Sequence, residues 1–298
     1  MVIAVAIMLR VISREYSDIR VDLASVRWPF LAAALFTSVL STVLGGLVWL
    51  WSVRSLGGVV GGVDAVRIWC LATPAKYGLG AVGQYASRLY LAERLGIERA
   101  VVIGSLVVEL AVIALSGSAV ILVFFPVAAT FLATSLPRFL LVIPVLLGLL
   151  AVVSWPSLAT RGLRLLRFSA LRLVGSPRPG ELRAATAVML GDWLLFGTTL
   201  FLIARSMSDL RLTLFLYVVF CMTIAILVGM IGITPMGLGV RDVTLTFLLS
   251  LAIPPGEAAA AVLLHRLATA MAELACAGIA ICAPRAYVAL PRPFRTQP

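Results

Sequence analysis

Apolar residues run along this chain in long blocks bounded by arginine and proline, not in the short alternations that strands produce. The clear blocks are Trp28–Val53 (between Arg27 and Arg54), Ala100–Phe124, Ala184–Ala204, Leu212–Ile233 and Glu257–Ala283. A run of about 18 or more apolar residues is long enough to cross a bilayer as a helix. Residues 126–155 are apolar but punctuated by Pro137, Arg138 and Pro144, and hold either one span (Phe139–Trp155) or two short ones. Met1–Leu9 is too short to cross, and Arg10–Arg27 mixes charged and apolar side chains, which predicts a helix lying in the interface. The pattern predicts an all-α integral membrane protein with about six to eight transmembrane helices. Residues 1–27 form an interfacial segment, 28–283 one polytopic domain, and 284–298 a polar tail. The domain divides into a first half (28–158), a basic loop (159–183) and a second half (184–283).

Two apolar stretches are broken in the same way. The first is Ala72–Gly83 and the second Gly232–Asp242; each carries Thr-Pro followed within a few residues by Gly-x-Gly. Pro74 and Pro235 remove a backbone donor, and Gly78, Gly80, Gly237 and Gly239 admit backbone conformations closed to other residues. Such backbone is tolerated at membrane depth only when buried in protein or lining a wet cavity. After each break come a helix-length stretch, a turn (Gly96 in the first half, Pro254-Pro255-Gly256 in the second) and a span carrying charge. Paired interrupted segments in two halves predict two re-entrant helix pairs in an internally repeated arrangement, with a transporter-type binding site between them.

Composition removes the soluble classes. Hydrophobic residues make up 62% of the 298 and charged residues 12%, and the mean hydropathy is +1.10. The net charge of +11 comes from basic residues at the ends of apolar runs, which anchor spans to headgroups; no basic stripe interleaved with aromatics points to nucleic acid. In the loop 159–183, Arg161, Arg164, Arg167, Arg172, Arg178 and Arg183 face Glu181 alone, so the loop is predicted to be cytoplasmic. The setting implied is the cell membrane. Cys70, Cys221, Cys276 and Cys282 form no CxxC pair and read as small core residues; the pattern predicts no metal site.

Charges inside spans narrow the search, because each costs roughly 2.5–3.5 kcal/mol at a helix centre. Glu109, Asp192, Arg266 and Glu273 fall in predicted spans. Ser105, Glu109 and Ser116 form one polar stripe and Arg266, Thr269 and Glu273 another. The two stripes are expected to face each other, either across a cavity or through a structural Glu109–Arg266 ion pair. Asp192, near the expected start of its helix, suits a cap, an interface contact or a functional role. His265, the only histidine, reads as a satisfied helix residue. Lys76, the only lysine, sits beside Tyr77 in the first break, where it meets a lipid phosphate or snorkels to the interface. Arg241 is its counterpart in the second break, and Arg88 is a further candidate for the same cluster. No G-x-x-x-x-G-K-[ST], H-E-x-x-H or G-x-S-x-G string occurs, so the sequence carries no catalytic motif of these kinds and calls for no cofactor.

The string Arg67-Ile-Trp…Pro74-Ala-Lys-Tyr-Gly-Leu-Gly80, then Gly96-Ile with Glu109, then Gly232-Ile-Thr-Pro-Met-Gly-Leu-Gly-Val-Arg-Asp242 and Leu263-Leu-His-Arg266 resembles the flippase-like transmembrane region of lysylphosphatidylglycerol synthases, from about Trp28 to Ala283. The chain departs from that pattern in three ways. A complete span before Trp28 is missing or truncated, the acidic residue after Gly-Leu-Gly-Val is displaced by one to Asp242, and no aminoacyl-transfer domain follows Ala283. The resemblance implies the lipid-translocating half: a transporter that moves or binds an anionic lipid or lipid-linked intermediate between the two broken segments. Lys76, Tyr77, Arg88, Glu109, Arg241, Arg266 and Glu273 are its candidate headgroup contacts, and membrane lipids its partners. The alternative is a membrane-embedded enzyme or accessory subunit of glycolipid or cell-envelope synthesis, working with separately encoded lipid-synthesis enzymes.

Overall fold

A computed structural model describes residues 27–131, 177–231 and 239–283. Among these residues every regular element is helical: α1 (Trp28–Ser55), α2 (Gly62–Ala72), α3 (Lys76–Arg94), α4 (Arg99–Ala129), α5 (Pro179–Met207), α6 (Phe215–Ile231), α7 (Val240–Ser250) and α8 (Pro255–Cys282). Five segments are long and apolar enough to span a membrane: α1, α4, α5, Leu212–Met230 (a short 3-10 turn plus most of α6) and α8. The expected segment 1–27, the span within 139–155, most of the basic loop, the Pro235–Gly237 part of the second break and the tail lie outside the described residues.

The spans start and stop where local chemistry dictates. Proline occupies the first turn of α1, α5 and α8, where its missing N–H costs nothing. Gly57 and Gly96, with φ of 84° and 79°, close the turns after α1 and α3. Starting at Pro179 instead of Ala184, α5 places Asp192 mid-helix and not near its start, which corrects the capping expectation.

Helices α1 and α5 run antiparallel along a close seam. Arg27 N–H donates to Ser206 C=O at one end, and Arg178 N–H to Ser55 C=O at the other. Small residues permit the approach of neighbouring helices: a Cβ on Gly45 of α1 would fall 2.5 Å from the Trp69 ring of α2, and one on Gly197 of α5 2.8 Å from Val219 Cα of α6. One apolar cluster, centred on Trp49, Val102, Leu182 and Trp193, joins α1, α4 and α5. A second, centred on Leu200, Met222, Leu245 and Val262, joins α5, α6, α7 and α8.

The described parts of the two breaks have one backbone feature in common. Thr73–Ala75 forms one 3-10 turn between α2 and α3. The second glycine of each Gly-Leu-Gly then takes a positive φ, 65° at Gly80 and 94° at Gly239. Gly80 sits inside α3, and Gly239 immediately precedes α7. In each half the short helix after the break is tied to the following span by an ion pair of opposite polarity: Arg88 of α3 to Glu109 of α4, and Asp242 of α7 to Arg266 of α8.

The expected Glu109–Arg266 pairing is therefore corrected. Helix α4 packs on α1, α3, α5 and α6, whereas α8 packs on α1, α2, α5 and α7, and Glu109 and Arg266 each meet a partner within their own half. Cys282 also departs from expectation: it is exposed at the end of α8, while Cys70, Cys221 and Cys276 are buried.

Candidate functional site

Five of the seven predicted headgroup contacts come together. Helix α8 presents Arg266 and Glu273 two turns apart on one face, near its middle. The first break delivers Lys76 and Tyr77 to Glu273. Lys76 Nζ lies 2.5 Å from Glu273 Oε1, and Tyr77 Oη donates to Oε2 at 2.7 Å, so both carboxylate oxygens are engaged. The second break delivers Asp242 to Arg266, whose Nε and Nη2 lie 2.7 Å from Asp242 Oδ1 and Oδ2 respectively, a two-pronged contact.

Arg241 is within electrostatic reach of both pairs. Its charge acts on Lys76 and Tyr77, and those of Arg266, Asp242 and Glu273 act on it. Among the described residues it has no acidic partner within 4 Å; its Nη2 meets Met222 Sδ at 3.7 Å, and its Nε is buried without a hydrogen bond. His265, one position before Arg266, is 1% exposed, and its Nε2 is likewise without a partner, which corrects the reading of a satisfied helix residue. The cluster holds three cations (Lys76, Arg241, Arg266) and two carboxylates (Asp242, Glu273). Among the described residues one positive charge is therefore left over, at Arg241. The cluster is sheltered but open on one side: Tyr77 is 47% exposed and the Arg266 side chain 23%.

Arg88 and Glu109 do not belong to this cluster. Arg88 lies 12 residues beyond Lys76 on α3, roughly 18 Å along a helix. Its side chain is fully buried, with Nη1 2.5 Å from Glu109 Oε2 and the guanidinium carbon 4.2 Å from the centroid of the Trp69 ring. Trp49 flanks the same guanidinium and donates from Nε1 to Ser105 Oγ at 3.1 Å. This is a packed ion pair in an aromatic box that holds α3 against α4.

Of the glycines and prolines singled out, Pro74 and Gly80 shape the backbone around Lys76 and Tyr77, Gly78 has open space beside it, and Gly239 turns the chain into Arg241. Pro235 and Gly237 lie outside the described residues. Asp242 and His265 were not among the predicted contacts. Asp242 had a signal, as the acidic residue next to Arg241; nothing in the spacing marked His265 beyond its place beside Arg266. No group of three or more metal-ligating side chains occurs among the described residues.

No curated protein matches this chain. The model of one family, the lysylphosphatidylglycerol synthase TM region, matches residues 1–276, beginning 27 residues before the stretch that carried the sequence resemblance. With that match covering most of its 298 residues, and with five helices fit to span a membrane, the chain belongs to the lysylphosphatidylglycerol synthase transmembrane-region family.

Proposed function

We propose that this protein is a flippase-like membrane transporter that binds an anionic phospholipid or lipid-linked intermediate by its headgroup, between the two broken segments. The observation that carries this reading is the surplus cation. Lys76 and Arg266 are each matched by a carboxylate, whereas Arg241, its Nε buried without a hydrogen bond, has none within 4 Å among the described residues. A buried guanidinium without a counterion is costly, and a phosphodiester supplies both the missing charge and the missing acceptors. His265 and Tyr77 offer further polar contacts, and the apolar faces of α7 and α8, with Val243, Phe247, Leu267 and Met271 exposed, suit acyl chains. Pro74–Gly83 and Pro235–Asp242 act as re-entrant pairs, and the loop 159–183 faces the cytoplasm from the plasma membrane. The test uses purified full-length protein in phosphatidylcholine vesicles with and without phosphatidylglycerol. Labelled anionic lipid is expected to bind and cross in the wild type, and Arg241→Gln to lose binding at least tenfold while folding normally. Equal binding by Arg241→Gln, or turnover of a lipid-linked substrate without translocation, would refute the transporter reading.

A further inference from the structure

Asp192 stands apart from the other buried acids. Glu109, Asp242 and Glu273 each have a basic nitrogen at 2.5–2.7 Å. Asp192, in the middle of α5 and 4% exposed, has instead the hydroxyl of Ser41 on α1, which donates to Oδ1 at 2.5 Å. No cation lies within 4 Å of it among the described residues, and none of the ionisable groups on the helices packed against α5 is hydrogen-bonded or ion-paired to it. On α1, Arg54 donates to Val60 C=O; on α4, Glu109 is held by Arg88. On α6, Tyr217 donates to Leu248 C=O, and Cys221 is buried in the core. On α8, Arg266 and Glu273 are in the pairs described above, and the His265 ring is 6.5 Å from that of Phe196, one turn beyond Asp192.

A bare carboxylate at this depth is too costly to stand alone, and no cation of the described residues neutralises it. A hard metal ion needs about six oxygen ligands. Here the Ser41 hydroxyl touches the carboxylate directly, leaving no room for an ion between them. Thr42 is turned to Ser38 C=O, and Thr37 bonds Thr199 across the seam at 2.8 Å. Among the described residues of this seam, only Ser38 Oγ, one turn before Ser41 on the same face and 3% exposed, is left without a partner. That is too few oxygens for a metal ion and enough for a proton.

We propose that Asp192, paired with Ser41, is a proton-binding site in the α1–α5 seam, and that its proton is exchanged as the protein moves lipid. The first part stands on this seam alone; the second rests on the transport reading above. With the proton bound, the seam closes around a neutral group. With the proton released, the carboxylate requires water or a cation and the helices must part. Both α1 and α5 pack on α8, which carries Arg266 and Glu273, so this parting reaches the headgroup cluster through direct contacts.

Infrared spectra of the full chain in lipid vesicles at neutral pH test the first part. The wild type is expected to show a protonated-carboxyl stretch that Asp192→Asn removes, that Ser41→Ala shifts, and that is the same in sodium and potassium salts. Absence of that band, or its loss on adding sodium, overturns the proton site. Should Asp192→Asn not fold, an unshifted band in Ser41→Ala overturns the pairing. Translocation of labelled phosphatidylglycerol under an imposed pH gradient tests the second part. The wild-type rate is expected to change several-fold with the gradient, while Asp192→Asn binds lipid equally well and ignores it. An equal response in both overturns the coupling. Failure of the wild type to bind lipid at all sinks the transport reading and the coupling with it, and leaves the infrared result to decide the proton site.

Discussion

Lys76 and Glu273, 197 positions apart in sequence, meet at 2.5 Å and join the first broken segment to the last described span. Tyr77 completes the grip on the same carboxylate. This contact crosses between the two halves, whereas Arg88–Glu109 and Asp242–Arg266 stay within them. Removing its negative charge leaves Lys76 free beside Arg241. Glu273→Gln is therefore expected to fold, to bind anionic lipid several-fold more tightly than the wild type, and to lose that gain as salt is raised. Titration of vesicle-bound protein at two ionic strengths measures both effects.

Arg88 and Glu109 predict the opposite behaviour. Their pair is fully enclosed by Trp49, Trp69 and the body of α4, so either single truncation strands a charge. Breaking a buried pair costs on the order of 3–5 kcal/mol. Arg88→Met and Glu109→Leu alone are expected to lower the detergent melting temperature sharply, and the double variant to recover most of it. Additive losses in the double variant would show that the pair is not coupled.

Gly197 and Gly191 on α5 form an internal control. A methyl at Gly197 meets the Val219 backbone, whereas one at Gly191 meets nothing within 4 Å. Overpacking typically costs about 1–3 kcal/mol. Gly197→Ala is expected to destabilise by that order, and Gly191→Ala to stay within about 0.5 kcal/mol of the wild type. Thermal unfolding of both in the same detergent checks the α5–α6 contact.

The thiols of Cys70 and Cys276 are in hydrogen-bond contact between α2 and α8, and Cys282 is exposed. A mild oxidant is expected to join Cys70 to Cys276, detected as a loss of two alkylatable thiols without dimerisation. A membrane-impermeant maleimide is expected to label Cys282 first. Failure of Cys70 and Cys276 to cross-link, with both still alkylatable after unfolding, would contradict the α2–α8 packing.

The spans, the two breaks and the family were legible because each leaves a one-dimensional mark: an apolar run, a Thr-Pro, a Gly-Leu-Gly. Lys76, Arg241 and Arg266 were legible for a related reason, since charge in apolar surroundings stands out. The pairing was not. Glu109 and Arg266 sit on spans that correspond in the two halves, which suggested that they face each other. Which carboxylate meets which guanidinium depends instead on α3 and α7 folding back onto the next span, a three-dimensional fact that spacing does not encode. His265 and Asp192 were undervalued for the same reason: the partners they lack can be counted only in space.

Helix α8 is held at two points by contacts of opposite sign, its Arg266 to the second half and its Glu273 to the first. The two anchors are seven residues apart, roughly 10 Å along the axis. Both anchors therefore sit on one continuous helix. Any tilt about a point between the anchors moves both ends together, so one pair cannot lengthen without displacing the other. On the transport reading proposed above, a headgroup that tilted α8 in drawing Lys76 from Glu273 would also strain the Arg266–Asp242 pair.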